Sequence, residues 1–121
     1  MTGTVIISHN PYNHWIHLVC TGDFTAAEFE QALLNGIRAA KAHHCSDLIM
    51  DCILASKAAF ASVWTTGDWL RAAEANGLKR LVFVHSPLSA AVPPPGAWSG
   101  AVAFFPCHNL SSATGWLARK S

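Results

Sequence analysis

Cys20, Asp51 with Cys52, His85, and Cys107 with His108 stand at or just beyond the ends of four short apolar runs in this chain. Thiols and imidazoles are ligands for a borderline metal such as zinc, and Cys52, His85, Cys107 and His108 form the best set. The same residues suit nucleophilic chemistry, with Cys52 or Cys107 activated by His85 or His108 and a helix N-terminus lowering the thiol pKa. The simpler alternative is a buried thiol, a loop histidine and a turn. No pair among them has the spacing of a recognised metal site, so no metal, cofactor or catalytic residue is assigned. His43-His44-Cys45 forms a second metal-like cluster, but adjacent residues at a helix end point apart. The chain has neither a phosphate loop nor a dinucleotide-binding glycine turn. Asp51 is the strongest single polar candidate, and its competing role is to cap the backbone that follows it.

These residues converge only if the elements beneath them run in a common direction. Gly3–Ser8 is short and β-branched, and Asn10-Pro11-Tyr12-Asn13 reads as a turn. In His14–Cys20, Trp15, His17 and Val19 alternate with Ile16, Leu18 and Cys20, so the two segments predict a hairpin. Thr25 and Glu28 make a capping box, followed by Phe29, Leu33, Ile37 and Ala40 at helical spacing. That predicts a helix over about Ala26 to His43, despite Gly36.

Leu48-Ile49-Met50 closed by Asp51 reads as a strand buried on both faces. A second helix is expected over Ala58 to Asn76, stopped by Gly77, and Leu81–Val84 forms the next strand. Ser86-Pro87 opens a short helical turn that Val92-Pro93-Pro94-Pro95-Gly96 ends. Ala101–Phe105 is a last strand, with a terminal helix starting at Asn109 or Ser111 and carrying Trp116 and Leu117.

The expected fold is α/β, a single mixed, mostly parallel five-stranded sheet in β-β-α-β-α-β-α-β-α order. Right-handed crossovers then bring the strand ends to one edge, where α/β proteins place their sites.

Composition narrows the function. The chain has 121 residues, enough for one domain over 1–121 with its own core; 51% are hydrophobic and only 12% charged. A surface so poor in charge leaves apolar area exposed or covered by a partner. The formal net charge is +1, with Lys and Arg scattered, so no basic stripe suits nucleic acid and no cluster suits an anionic membrane. No run is long enough for a membrane span, and the first residues lack the pattern of a signal peptide, which makes the cytoplasm the expected location. The four cysteines lack any CxxC pair and are expected as free thiols.

Thr21-Gly22-Asp23-Phe24-Thr25 before a long helix, Leu48-Ile49-Met50-Asp51 as the central strand, and Phe104-Phe105 followed by Ser112–Leu117 resemble the STAS family. This is the sulfate-transporter and anti-sigma-factor-antagonist domain, and the likeness is greatest to its stand-alone bacterial members. The resemblance implies a regulatory, non-enzymatic binding module. It does not extend to the phosphoswitch: the family's Asp-Ser-Ser-Gly turn falls at Ala59-Phe60-Ala61-Ser62, which has neither the acid nor the paired serines. Where many relatives follow the central aspartate with an arginine-containing turn, this chain has Cys52-Ile53-Leu54.

The functional expectation is therefore binding of a partner protein or a small apolar ligand over the strand ends. Asp51, Cys52, His85 and Ser86 supply the polar groups, bordered by Phe60, Trp64 and Trp98. The alternative is a small thiol- or metal-dependent enzyme using the strand-end Cys and His residues. Ala90–Phe105 contains no charged residue and includes Trp98, so it is expected either as a homodimer surface or as a lid on its own domain.

Overall fold

Sequence periodicity becomes layering in the computed structural model, which describes residues 3–10, 14–54, 68–85 and 102–118. Five strands form one mixed sheet: β1 (Thr4–Asn10), β2 (Trp15–Thr21), β3 (Asp47–Asp51), β4 (Arg80–Val84) and β5 (Ala103–Cys107), in spatial order β1-β2-β3-β4-β5. β1 runs antiparallel to β2, whereas β2–β3, β3–β4 and β4–β5 pair in parallel. Three helices lie among the described residues: α1 (Ala26–Ala42), α2 (Asp68–Ala75) and α3 (Leu110–Ala118). The turn at 11–13, the first part of the expected second helix and the short helix expected after Ser86 lie outside the described residues.

Because β2, β3 and β4 are laid down side by side in one direction, right-handed crossovers put their helices on the same face. Phe29, Leu33 and Ile37 of α1 and Trp69 and Ala73 of α2 accordingly share one core layer with Ile16, Leu18, Leu48, Met50, Leu81 and Phe83. The opposite face carries α3, whose Ala113 and Leu117 pack on Ile49, Val82, Val84 and Cys107. α3 covers the β3–β5 side of that face. On the β1–β2 side Ile6 is exposed and Trp15, His17 and Val19 are half-buried.

The hairpin's alternation is realised without slippage, with Ile16, Leu18 and Cys20 fully buried and the intervening residues half-buried. The capping box of α1 is complete: Glu28 N–H donates to Thr25 Oγ1 at 3.1 Å and Thr25 N–H to Glu28 Oε1 at 2.9 Å. Gly36 is tolerated within α1 because it faces the sheet. A Cβ there would stand 2.8 Å from Leu18 Cδ1 and 3.3 Å from both Leu48 methyls, so its absence sets how closely helix and sheet approach.

α2 ends as expected at Gly77 (φ +77°). The Leu78 N–H reaches the Ala73 carbonyl at 2.9 Å and the Gly77 N–H the Glu74 carbonyl at 3.2 Å, which is a Schellman motif. α1 ends in the same way without glycine. Cys45 N–H bonds to the Ala40 carbonyl (2.7 Å) and His44 N–H to Lys41 (3.1 Å), with His44 itself left-handed at φ 57°. His43-His44-Cys45 is thus a helix stop: the His43 ring stacks on His9 at 4.3 Å, and the Cys45 thiol donates to the His43 carbonyl at 3.6 Å.

β5 runs further than composition suggests, through Pro106 to Cys107. Proline lacks an N–H, but on an edge strand the missing donor faces no neighbour. At the other end of the strands, Asp47 and Arg80 are register partners on β3 and β4 and form a buried ion pair. Arg80 Nε donates to Asp47 Oδ1 at 2.8 Å and Nη2 to Oδ2, while Nη1 donates to the Leu117 carbonyl at 3.1 Å. The guanidinium also lies 5.6 Å from the centroid of Trp116, which stacks on Phe105. One arginine thereby joins two strands to the last helix.

Candidate functional site

The parallel register aligns Val19, Asp51, Val84 and Cys107 across the sheet. One residue further on stand Cys20, Cys52, His85 and His108. Backbone bonds carry the row past the strand ends, from Cys52 N–H to the Val84 carbonyl (2.7 Å) and from His85 N–H to the Cys107 carbonyl (2.9 Å). The expected gathering along one edge therefore occurs. What the pleat then does is divide it, since successive residues point to opposite faces.

Cys52 falls with Met50 on the α1–α2 face, where it and Cys20 are buried in the core. His85 follows Phe83 on that face and stacks on its ring at 5.2 Å and 18°. Asp51 follows Ile49 onto the α3 face, where its carboxylate lies 3.6 Å from His17 Nε2, and Cys107 is buried on this face too. His108 joins the two sides. Its Nδ1 lies 3.2 Å from the His85 carbonyl, and because a carbonyl only accepts, this nitrogen carries the proton. The His108 ring meets the His85 ring edge-on at 4.7 Å.

Of the expected site residues, Cys52 and His85 thus share one core layer and Asp51 belongs to the other face. Phe60, Trp64, Ser86 and Trp98 lie outside the described residues. Trp69 is fully buried against Phe104 at 6.0 Å. Of Ala90–Phe105 only 102–105 are described: Val102 and Phe104 are buried in this chain's own core, and Phe105 rests on Trp116.

The electrostatics of the thiols oppose nucleophilic use. Burial pushes the Cys52 thiol well above its ordinary value, and contact with Cys20 and the nearby Asp51 charge add to this. Burial likewise raises Cys107, with Asp51 contributing. A reactive cysteine needs the reverse shift. All four cysteines are free and buried, and among the described residues no three His, Cys, Asp or Glu side chains gather as a metal would require.

What the edge does offer is a polar and apolar surface immediately after β3. Ile53 N–H lies 3.4 Å from Asp51 Oδ1, a long contact, and the Asp51 side chain, 20% exposed, turns its second oxygen towards His17. Ile53 and Leu54 then project outward, 38% and 74% exposed, while the Leu54 carbonyl accepts from Gly22 N–H at 3.1 Å. That bond ties the β3 loop to the residues following β2. Sequence reasoning singled out Asp51 but missed His17, Ile53 and Leu54. Alternation along β2 and β3 puts His17 and Asp51 on one face, whereas nothing local marks Ile53 and Leu54 as exposed.

Compared with known proteins, the chain matches no family model and no curated protein. Among the described residues, no helix is long and apolar enough to cross a membrane.

Proposed function

We propose that this chain is a non-enzymatic regulatory module of STAS type that works in the cytoplasm by docking a partner protein at the end of its central strand. The observation that carries this reading is the exposure of Ile53 and Leu54 directly beside the partly exposed Asp51 carboxylate. Two adjacent apolar side chains held out by a hydrogen-bonded loop lose free energy to water and regain it in an interface core, and a rim charge supplies orientation. The raised thiol pKa values favour binding over thiol catalysis. A small apolar ligand at the same edge is the second occupant the reading allows.

A photo-crosslinking residue at position 54, compared in cells with one at exposed Lys79 on the opposite end of the sheet, identifies what docks there. Affinity for the purified partner is then expected to fall at least about tenfold in both Asp51→Ala and Leu54→Asp, equivalent to roughly 1.4 kcal/mol each. Equal capture from positions 54 and 79, or unchanged affinity in both folded variants, removes this surface from consideration.

A further inference from the structure

The two edges of the sheet are not protected alike. On β5, Pro106 interrupts the row of outward donors. β1 has neither proline nor a charged residue from Thr4 to Asn10, and its apolar residues lie open on both faces, with Val5 36%, Ile6 60% and Ile7 39% exposed. Natural sheets usually blunt such a strand, because its free backbone donors and acceptors template pairing with another chain. Among the described residues no such device is present on β1.

We infer that β1 pairs antiparallel with β1 of a second copy of this chain, about a two-fold axis through Ile6, to make one continuous sheet from two. The occupant follows from the symmetry of the strand. Thr4-Val5-Ile6-Ile7-Ser8 is close to palindromic in side-chain type, so inversion about Ile6 sets Ile6 against Ile6, Val5 against Ile7, and Thr4 against Ser8. Every opposed pair joins β-branched to β-branched, which suits a pleated surface, or hydroxyl to hydroxyl, a pairing that stabilises antiparallel neighbours. An unrelated peptide has no need of that inversion, whereas an isologous dimer demands it.

The surroundings of the edge agree. A two-fold axis normal to the sheet keeps like faces together, so Val5 and the partner's Ile7 meet on the α1 side, because Val5 and Ile7 register with core-facing Cys20 and Leu18. On that side β1 and α1 enclose an open groove of about 290 Å³ lined by Val5, Phe24 and Ala32, with Glu28, Gln31 and Asn35 along the helix. Gln31 Nε2 donates to Asn35 Oδ1 at 3.0 Å and Glu28 is held in the capping box, so the flank facing a second helix is largely neutral and internally bonded. The groove receives the partner's Ile7. Pro106 on the far edge stops addition of further copies, so the assembly closes at two.

Sedimentation velocity on the full chain over a concentration series is expected to show a dimer, and Ile6→Lys, which sets two ammonium groups against each other, to show a monomer with unchanged circular dichroism. Under mild oxidation Ile6→Cys is expected to form a disulfide-linked dimer and Thr4→Cys not to, since Thr4 faces Ser8 of the second copy; the four native thiols are buried. A natural chain that stays monomeric at every concentration overturns the inference, as does a dimer that persists in Ile6→Lys, an open-ended polymer, or equal crosslinking of the two cysteine variants. Should Ile6→Lys fail to fold, the contrast between Ile6→Cys and Thr4→Cys decides the matter.

Discussion

Replacing Arg80 by methionine removes the one cation that, among the described residues, contacts the Asp47 carboxylate, which is 10% exposed, from an ion pair whose arginine is itself 14% exposed. Breaking a buried pair from one side costs about 3–5 kcal/mol, because the remaining charge stays desolvated without compensation. The variant also loses the bond to the Leu117 carbonyl and the approach to Trp116, so the end of α3 loosens from the sheet. Against a total stability of about 5–15 kcal/mol, such a loss is a large fraction. With a urea m-value of about 1–3 kcal/mol/M, the midpoint should fall by roughly 2 M. The double variant Asp47→Leu, Arg80→Met is expected to regain most of the loss, since apolar replacement of a whole buried pair is often neutral or stabilising. Urea unfolding followed by tryptophan fluorescence and circular dichroism reads all three proteins. A loss below about 1 kcal/mol in Arg80→Met would show that the pair behaves as a solvated one, and a double variant no more stable than the single would refute desolvation as the source of the cost.

Two further outcomes are expected. His44→Gly should stabilise the chain by about 1 kcal/mol, because glycine relieves the left-handed backbone of the α1 stop and the exposed His44 ring gives up no packing; thermal unfolding that is unchanged or earlier counts against this. Cys45, Cys52 and Cys107 have raised pKa values in the folded chain, burial being the main cause. The folded state therefore keeps protons that the unfolded chain releases above the ordinary thiol value of 9.0. Stability present below that pH should fall as the pH rises through the folded-state values, and Cys52→Ala should flatten the decline in alkaline urea titrations. An equally steep decline in that variant would assign the effect elsewhere.

The parts of the candidate site legible in the sequence were those governed by position along a strand. Asp51, Cys52 and His85 were recognisable because a continuous apolar run closed by a polar residue marks a strand end. Their division between two faces follows from the same pleat, yet becomes apparent only when the register shows Ile49 and Met50 in different core layers. Trp69 shows the opposite limit. Its helical spacing suits a core before a cleft, and packing against Phe104 from a distant strand decides for the core. His43-His44-Cys45 resembles a ligand cluster in composition but acts as a helix stop: its backbone N–H groups close α1, the His43 ring stacks on His9 and the Cys45 thiol donates to the His43 carbonyl.

From the residues alone came everything that depends on neighbours within about one helical turn or on a period of two. That covers the capping box of Thr25 and Glu28, the stop at Gly77, the alternating faces of β2 and the apolar centre of β3. Short-range hydrogen bonds and side-chain periodicity decide these, and both are written in adjacent positions. Tertiary structure decided what adjacency leaves open: the sequential order of the five strands, the pairing of Asp47 with Arg80, the continuation of β5 through Pro106, and the uncovered edge at Val5, Ile6 and Ile7. Each is settled by which distant segment comes to lie alongside, and that choice balances burial over the whole sheet against the strain and desolvation of its alternatives.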